Sequence, residues 1–184
     1  MPDDSGRLHE RVTASKRVYD GSIMNVRLDT VELAAGRSAQ REIVEHAAVV
    51  AIVPVDTAGN VVLVRQYRLP AQDVLLEVPA GGVDEGESVD EAAQRELREE
   101  TGYRAANLER LGGFYVSPGY VTEFIHVFLA TDLSEDALDG DDDEEIEVVH
   151  MPLTEGVRLI ETGEIKDGKS IIGLLLAARE SGVS

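Results

Sequence analysis

At 184 residues, 43% of them hydrophobic and 29% charged, the chain suits one soluble globular domain with a small appendage and a sizeable core. Its 36 acidic residues against 17 basic ones give a formal charge of −19, which repels nucleic acid phosphates and anionic lipid and argues against both as partners. Without cysteine there is neither a disulfide nor a thiolate metal site; without an apolar run near ~20 residues or a basic-then-apolar start, no membrane span or signal peptide is expected and the location expected is the cytoplasm.

Residues 8–46 read as extended and antiparallel: Val12 to Tyr19, a turn at Asp20-Gly21, Ile23 to Leu33 with alternating apolar positions, a turn near Gly36, then Ala39 to Glu45. Three such strands bury little by themselves and ask for a second surface, either another domain or a second subunit. From His46 the apolar runs become denser. AAVVAIVPV and, after a turn at Asp56 to Asn60, VVLVRQYRL have the composition of buried strands. VLLEVPA follows as a short strand running into a Gly81-Gly82 turn. A helix is predicted over Val89–Thr101, opened by Ser88 with Glu91 as a capping box and closed by Gly102 as a left-handed cap. Strands near Leu108 to Tyr115 and Phe124 to Thr131 come next, then the acidic loop LSEDALDGDDDEE, a strand IEVVHM, and helices near Leu153 to Thr162 and Lys169 to Ala178. The sum is a mixed α and β fold with helices on a curved sheet, divided into an N-terminal β segment, 1–45, and a main domain, 46–184.

The chemistry concentrates in GGVDEGESVDEAAQRELREETGY, residues 81–103. At about 100° per residue, Glu96 and Glu100 stand one turn apart on one face and Glu99 lies about 60° to the other side of Glu96. Val89, Ala92 and Ala93 share that side, so the three carboxylates border the core. Most Glu-rich helices simply carry a solvated face, and Glu91 with Arg95 at i,i+4 would support one. The preceding Gly-Gly argues otherwise, because it lets a backbone carbonyl, that of Ala80, come close enough to join hard oxygen donors around a magnesium ion. Two or three such ions could polarise a phosphoryl oxygen, activate water and bridge both phosphates of a diphosphate.

This segment resembles the Nudix box in full: Gly81, five residues, Glu87, seven residues, then Arg95-Glu96-Leu97-Arg98-Glu99-Glu100-Thr101-Gly102-Tyr103. Seven fixed positions match by chance on the order of 10⁻⁸ per start site. Only Tyr103 stands where the family often has an aliphatic residue. The resemblance implies a mixed β-sheet sandwiched between helices and hydrolysis of the diphosphate of a nucleoside diphosphate derivative. It also implies metal ligation by Glu96, Glu99, Glu100 and the Ala80 carbonyl, with Mg2+ as cofactor and Mn2+ as the alternative, and a structural role for Arg95 and Glu87 in holding the loop and helix in register.

Further features resemble the ADP-ribose pyrophosphatase branch. Pro118, in Ser117-Pro118-Gly119, lies sixteen residues after Gly102, although Ser-Pro-Gly is also an ordinary turn. The segment before residue 46 is similar to the N-terminal domain that these enzymes exchange in a homodimer. RQYRLP and LLEVPAGG are similar as well, and Arg68 matches a substrate contact; physically, Arg68 or Arg65 on a strand leading to the carboxylates could bond a diphosphate. Arg41 resembles an arginine lent by the partner subunit, and Glu123 a carboxylate near the site. Family members draw a base or a further metal ligand from the acidic loop, which implies Glu144 first and Glu145 second; failing both, Glu99 is left to activate water. The expected substrate is a nucleoside diphosphate sugar, most simply ADP-ribose cut to AMP and ribose 5-phosphate. Other nucleoside diphosphate sugars, dinucleoside polyphosphates and a non-catalytic nucleotide-sensing domain are the alternatives. Tyr19, Tyr67, Tyr115 and Tyr120 are the stacking residues available, and the four histidines have no metal-ligand spacing.

Overall fold

The computed structural model describes residues 8–140 and 145–182, and the chain divides into two compact units. The first takes the chain up to Ala47 together with Tyr115–Phe124. Its sheet has the order β1 (Arg11–Asp20), β2 (Met24–Glu32), β3 (Ser38–His46), all antiparallel. The β2–β3 register is unbroken from Met24↔His46 to Glu32↔Ser38, whereas β1 slips against β2 between Val12 and Ala14 and between Arg17 and Tyr19. The segment 115–124 docks on the edge of β3: Val44 N–H donates to the Tyr120 carbonyl (2.7 Å), and Thr122 N–H donates to the Val44 carbonyl (2.9 Å). A division at residue 45 by sequence order cannot capture this return of the chain, because the pairing is between residues 76 or more apart.

The second unit contains two sheets. One has the order β10 (Ile146–Pro152), β5 (Asn60–Arg68), β6 (Asp73–Glu77); the other has the order β7 (Ala80–Gly82), β4 (Val49–Pro54), β9 (Phe124–Glu135), β8 (Tyr103–Tyr115). β4 and β9 run parallel, from Val49↔Ile125 to Pro54↔Ala130. All six β4 residues are buried because both faces of the strand are covered. Val50 and Ile52, with Phe128 and Ala130 of β9, pack against Ala92, Ala93 and Leu97 of helix α1 (Val89–Thr101). Val49, Ala51 and Val53 turn the other way, towards Val61 and Leu63 of β5, Leu153 and Leu159 of α2 (Leu153–Glu161) and Leu174 of α3 (Gly168–Glu180). The alternation of one strand between two clusters is the period of two expected of β structure, and each large buried side chain contributes about 1.5–3 kcal/mol. The class is mixed α and β, as the sequence predicts.

Four predicted borders move, the simplest being that of β9, which runs on to Glu135 through the first residues of the expected acidic loop. VLLEVPA is not one strand: β6 ends at Glu77, and the chain then crosses to the other sheet at Val78-Pro79, where Val78 N–H donates to Ser170 Oγ (2.8 Å) and the Pro79 carbonyl accepts from Ile52 N–H (2.9 Å). Gly81-Gly82 is strand rather than turn, since β7 pairs with β4 through Val50↔Gly81. β8 begins at Tyr103 rather than Leu108, because Gln94 of α1 bonds both the N–H and the carbonyl of the buried Ala105 and holds the chain against the helix. Among the described residues no helix is long and apolar enough to cross a membrane.

Candidate active site

α1 is bordered as its sequence predicts. Ser88 Oγ accepts from Glu91 N–H while the Glu91 carboxylate accepts from Ser88 N–H (2.9 Å), and Gly102 closes the helix at φ 76°, a left-handed conformation that a side chain would disfavour by about 1 kcal/mol. Rigid ends matter here because they hold the angular positions of the carboxylates. Glu96 and Glu100 are 9% and 8% exposed, so the face they share is part of the interior and not a solvated surface.

The Gly81 position explains how a carboxylate is accommodated there. A Cβ on Gly81 would lie 2.1 Å from the Glu96 carboxyl carbon and 2.1 and 2.3 Å from its oxygens. Gly81 is therefore required for close approach, by the side chain of Glu96, and its role is to leave room for that group. Beside it Ala80 N–H donates to Glu100 Oε2 (3.1 Å), tying β7 to the last turn of α1.

Arg95 joins the parts. It donates from Nε and Nη2 to the two Glu87 oxygens (3.0 Å each), from Nη2 to the Gly82 carbonyl (2.8 Å), and from Nη1 to Glu96 Oε1 (2.7 Å) and Glu99 Oε2 (3.0 Å). The fork on Glu87 raises the Arg95 pKa above its already basic value, and Glu96 and Glu99 add to this against the opposing effect of burial; Glu87 is correspondingly held below the usual carboxylate range by Arg95. Glu91 is engaged in the capping box, so the alternative pairing of Glu91 with Arg95 on an exposed face is not the one formed. Among the described residues the Arg95 guanidinium faces Glu87, Glu96 and Glu99, with Asp84 4.0 Å away, and these carboxylates outnumber it. This donor set is made entirely of hard oxygen and suits a divalent cation such as Mg2+. Among the described residues no three carboxylate or imidazole groups converge as a ready cage, and Arg95 holds Glu96 and Glu99 on its own Nη1.

Arg68, at the end of β5, donates from Nε and Nη2 to the two oxygens of Glu77 (2.9 Å each). Arg65 is 3.4 Å from Glu147 on β10. Glu145 is exposed immediately before β10, and Glu144 lies outside the described residues. The remaining predicted positions belong to the first unit. There Arg41 forks onto Glu10; the Ser117 carbonyl accepts from Tyr120 N–H (3.1 Å) and Val121 N–H (2.9 Å), making the turn that holds Pro118; and the Glu123 carbonyl accepts from Val116 N–H (3.2 Å). Tyr115 packs edge-on against Phe124, with ring centroids 4.9 Å apart.

Sequence reasoning passed over Glu77 and Lys169. Glu77 is 2% exposed, and Lys169 Nζ also reaches its carboxylate. The available signal was an acid inside the apolar run VLLEVPA, a position that an unpaired charge cannot occupy at reasonable cost.

Residues 44–172 match the NUDIX domain. The chain belongs to the Nudix family. It is a Nudix pyrophosphohydrolase by class, and Nudix hydrolases generally use a divalent metal. Residues 10–44 match the nucleoside diphosphate sugar hydrolase N-terminal domain. The Nudix chain is 38% identical over 165 residues to an ADP-ribose pyrophosphatase of Bacillus subtilis (strain 168), covering 89% of each chain. It is 41% identical over 128 residues to a GDP-mannose pyrophosphatase of Yersinia enterocolitica, covering 65% of this chain and 66% of that one. A crystal structure described as that of an ADP compounds hydrolase superposes with a TM-score of 0.84 at 26% identity, covering 95% of this chain and 97% of the other.

Proposed function

We propose that this Nudix hydrolase adds water across the diphosphate of a nucleoside diphosphate sugar, and that its substrate is ADP-ribose, released as AMP and ribose 5-phosphate. The observation that carries the proposal is the buried carboxylate face of α1 packed on Ala80–Gly81, with the Arg95 guanidinium shared among Glu87, Glu96 and Glu99. The choice of ADP-ribose is supported by similarity along 89% of the chain to a relative named for that substrate. Glu96, Glu99, Glu100 and the Ala80 carbonyl would hold a divalent cation, Mg2+ with Mn2+ as the alternative, which when bound neutralises diphosphate charge and polarises a phosphoryl oxygen. Arg95 and Glu87 fix these donors, and Arg68 binds the diphosphate by charge-assisted hydrogen bonds. Arg41, Ser117, Pro118 and Glu123 are assigned to substrate binding on resemblance. A GDP-sugar is the second reading, favoured by the GDP-mannose pyrophosphatase relative.

The test is a panel of ADP-ribose, GDP-mannose and a dinucleoside polyphosphate, with product identification and with chelator as the control. ADP-ribose should have the highest kcat/KM, and activity should vanish on chelation and return with Mg2+. A higher value for GDP-mannose would replace the substrate. Tight binding with no turnover of any compound would turn the protein into a nucleotide sensor.

Glu144 is proposed as the base that takes the proton of the attacking water, on sequence alone. Glu144→Gln should lower kcat by roughly 10²–10⁴ with KM nearly unchanged, the usual contribution of a positioned base. A large effect at Glu145→Gln alone would move the role by one residue, and no effect at either would leave Glu99 to activate water. Reaction in ¹⁸O-labelled water, with the masses of both products measured, identifies the phosphorus attacked.

The protein is also proposed to be a homodimer through residues 8–46. β1 is exposed along its whole length, and Val12, Val18, Tyr19 and Met24 present apolar surface. Between Val18, Val26, Leu28, Val44 and Tyr120 lies a cavity of about 340 Å³. Sedimentation at micromolar concentration should give twice the mass of the chain, and a monomer there would refute the assignment.

A further inference from the structure

The Arg68–Glu77–Lys169 cluster is graded from inside to outside. The side chains of Glu77, Lys169 and Arg68 are 2%, 12% and 36% exposed, so the group that the cluster presents outward is the guanidinium. Lys169 is shared with Asp167 (3.0 Å), the N-cap of α3, whose Oδ2 also accepts from Ser170 N–H and Oγ. Ser170 Oγ in turn receives Val78 N–H. Two residues further on, Ala80 N–H bonds Glu100 of the carboxylate helix. The carboxylate of Glu77 is thus anchored on the same short crossing segment that sets Ala80 and Gly81 against α1.

Stability alone is a weak reason for such an arrangement. Taking a carboxylate out of water costs several kcal/mol, and buried ion pairs are often replaceable by apolar residues without loss. What the fork supplies, and an apolar contact cannot, is direction: two parallel bonds to Nε and Nη2 hold the plane of the guanidinium. Burial pushes the Glu77 carboxyl up, but Arg68 and Lys169 outweigh it and the net shift is downward, so the group is ionised at neutral pH.

We propose that Glu77 is a positioning residue that orients the Arg68 guanidinium towards the diphosphate of the substrate, with Lys169 balancing the buried charge from behind. The proposal rests on the assignment of Arg68 to diphosphate binding. Steady-state kinetics with ADP-ribose, and with GDP-mannose in parallel, test it on Glu77→Gln, Arg68→Ala, Arg68→Lys and the double variant Glu77→Gln/Arg68→Ala. Glu77→Gln should raise KM on the order of tenfold with little change in kcat, as loss of a uniform binding contact does. Arg68→Lys keeps the charge but cannot form the fork, so its KM should approach that of Arg68→Ala. The double variant should be no worse than Arg68→Ala. If Glu77→Gln multiplies with Arg68→Ala, or if Arg68→Lys retains the parent KM, Glu77 does not act through Arg68 and the proposal is overturned. A parent-like KM in Arg68→Ala overturns it at an earlier point, by removing Arg68 from the substrate site. Arg68→Lys replaces a partly exposed group, so that comparison stands even if Glu77→Gln folds poorly.

Discussion

Glutamine at Glu100 or at Glu96 is expected to reduce turnover by roughly 10²–10³-fold or more, the scale seen when a group that stabilises transition-state charge is removed, with the fold retained. The substitutions are isosteric, and the two sites report on different things. At Glu100 the amide oxygen of glutamine can still accept Ala80 N–H, so that hydrogen bond to β7 survives while the charge is lost. At Glu96 the charge is part of the Arg95 cluster. Like-charge crowding on the helix face, considered alone, predicts that either variant is slightly more stable than the parent without metal. The Arg95 contact alters that expectation at Glu96, where Glu96→Gln should lose part of an ion pair that offsets the relief of crowding. Thermal melting in chelator, alongside kcat in Mg2+, checks both. If both variants keep more than a few per cent of parental activity, Glu96 and Glu100 do not carry the metal chemistry.

Gly81→Ala is expected to lower activity by about 10²-fold, because the alanine methyl would lie where the Glu96 carboxylate now is. A separation of 2.1 Å cannot exist between a methyl group and a carboxyl carbon, so Glu96 must leave its position or β7 must part from β4. Either movement displaces a donor by an ångström or more from the arrangement that Arg95 and Ala80 hold. Gly82→Ala is the comparison, since nothing lies within 4 Å of its Cβ position, and a much smaller loss is expected there. Equal losses in the two variants would mean that flexibility of the Gly-Gly pair, and not room for Glu96, is what the site needs. Parental activity in Gly81→Ala would show that the position of the Glu96 carboxylate is not critical to turnover.

The sequence by itself determined the helix Val89–Thr101, its two caps and the angular grouping of Glu96, Glu99 and Glu100. These depend on interactions within a few residues: a capping box spans three positions, a left-handed glycine needs no partner, and the helical period places side chains without reference to the rest of the chain. The dense apolar runs of β4 and β5 were legible for a similar reason, because burial on both faces leaves a continuous hydrophobic signature. What only the tertiary structure decided depends on residues distant in sequence. The division of VLLEVPA between two sheets rests on Ser170 and Ile52, the attachment of 115–124 to β3 rests on Val44, and the pairing of Glu77 with Arg68 and Lys169 spans 92 positions at its longest. The glycine at position 81 shows the difference most directly. Its presence in the motif was plain from the sequence, but the sequence suggested a turn and an approaching carbonyl, whereas the packed molecule places a buried carboxylate there, and the excluded volume of one methyl group is the physical reason for the glycine.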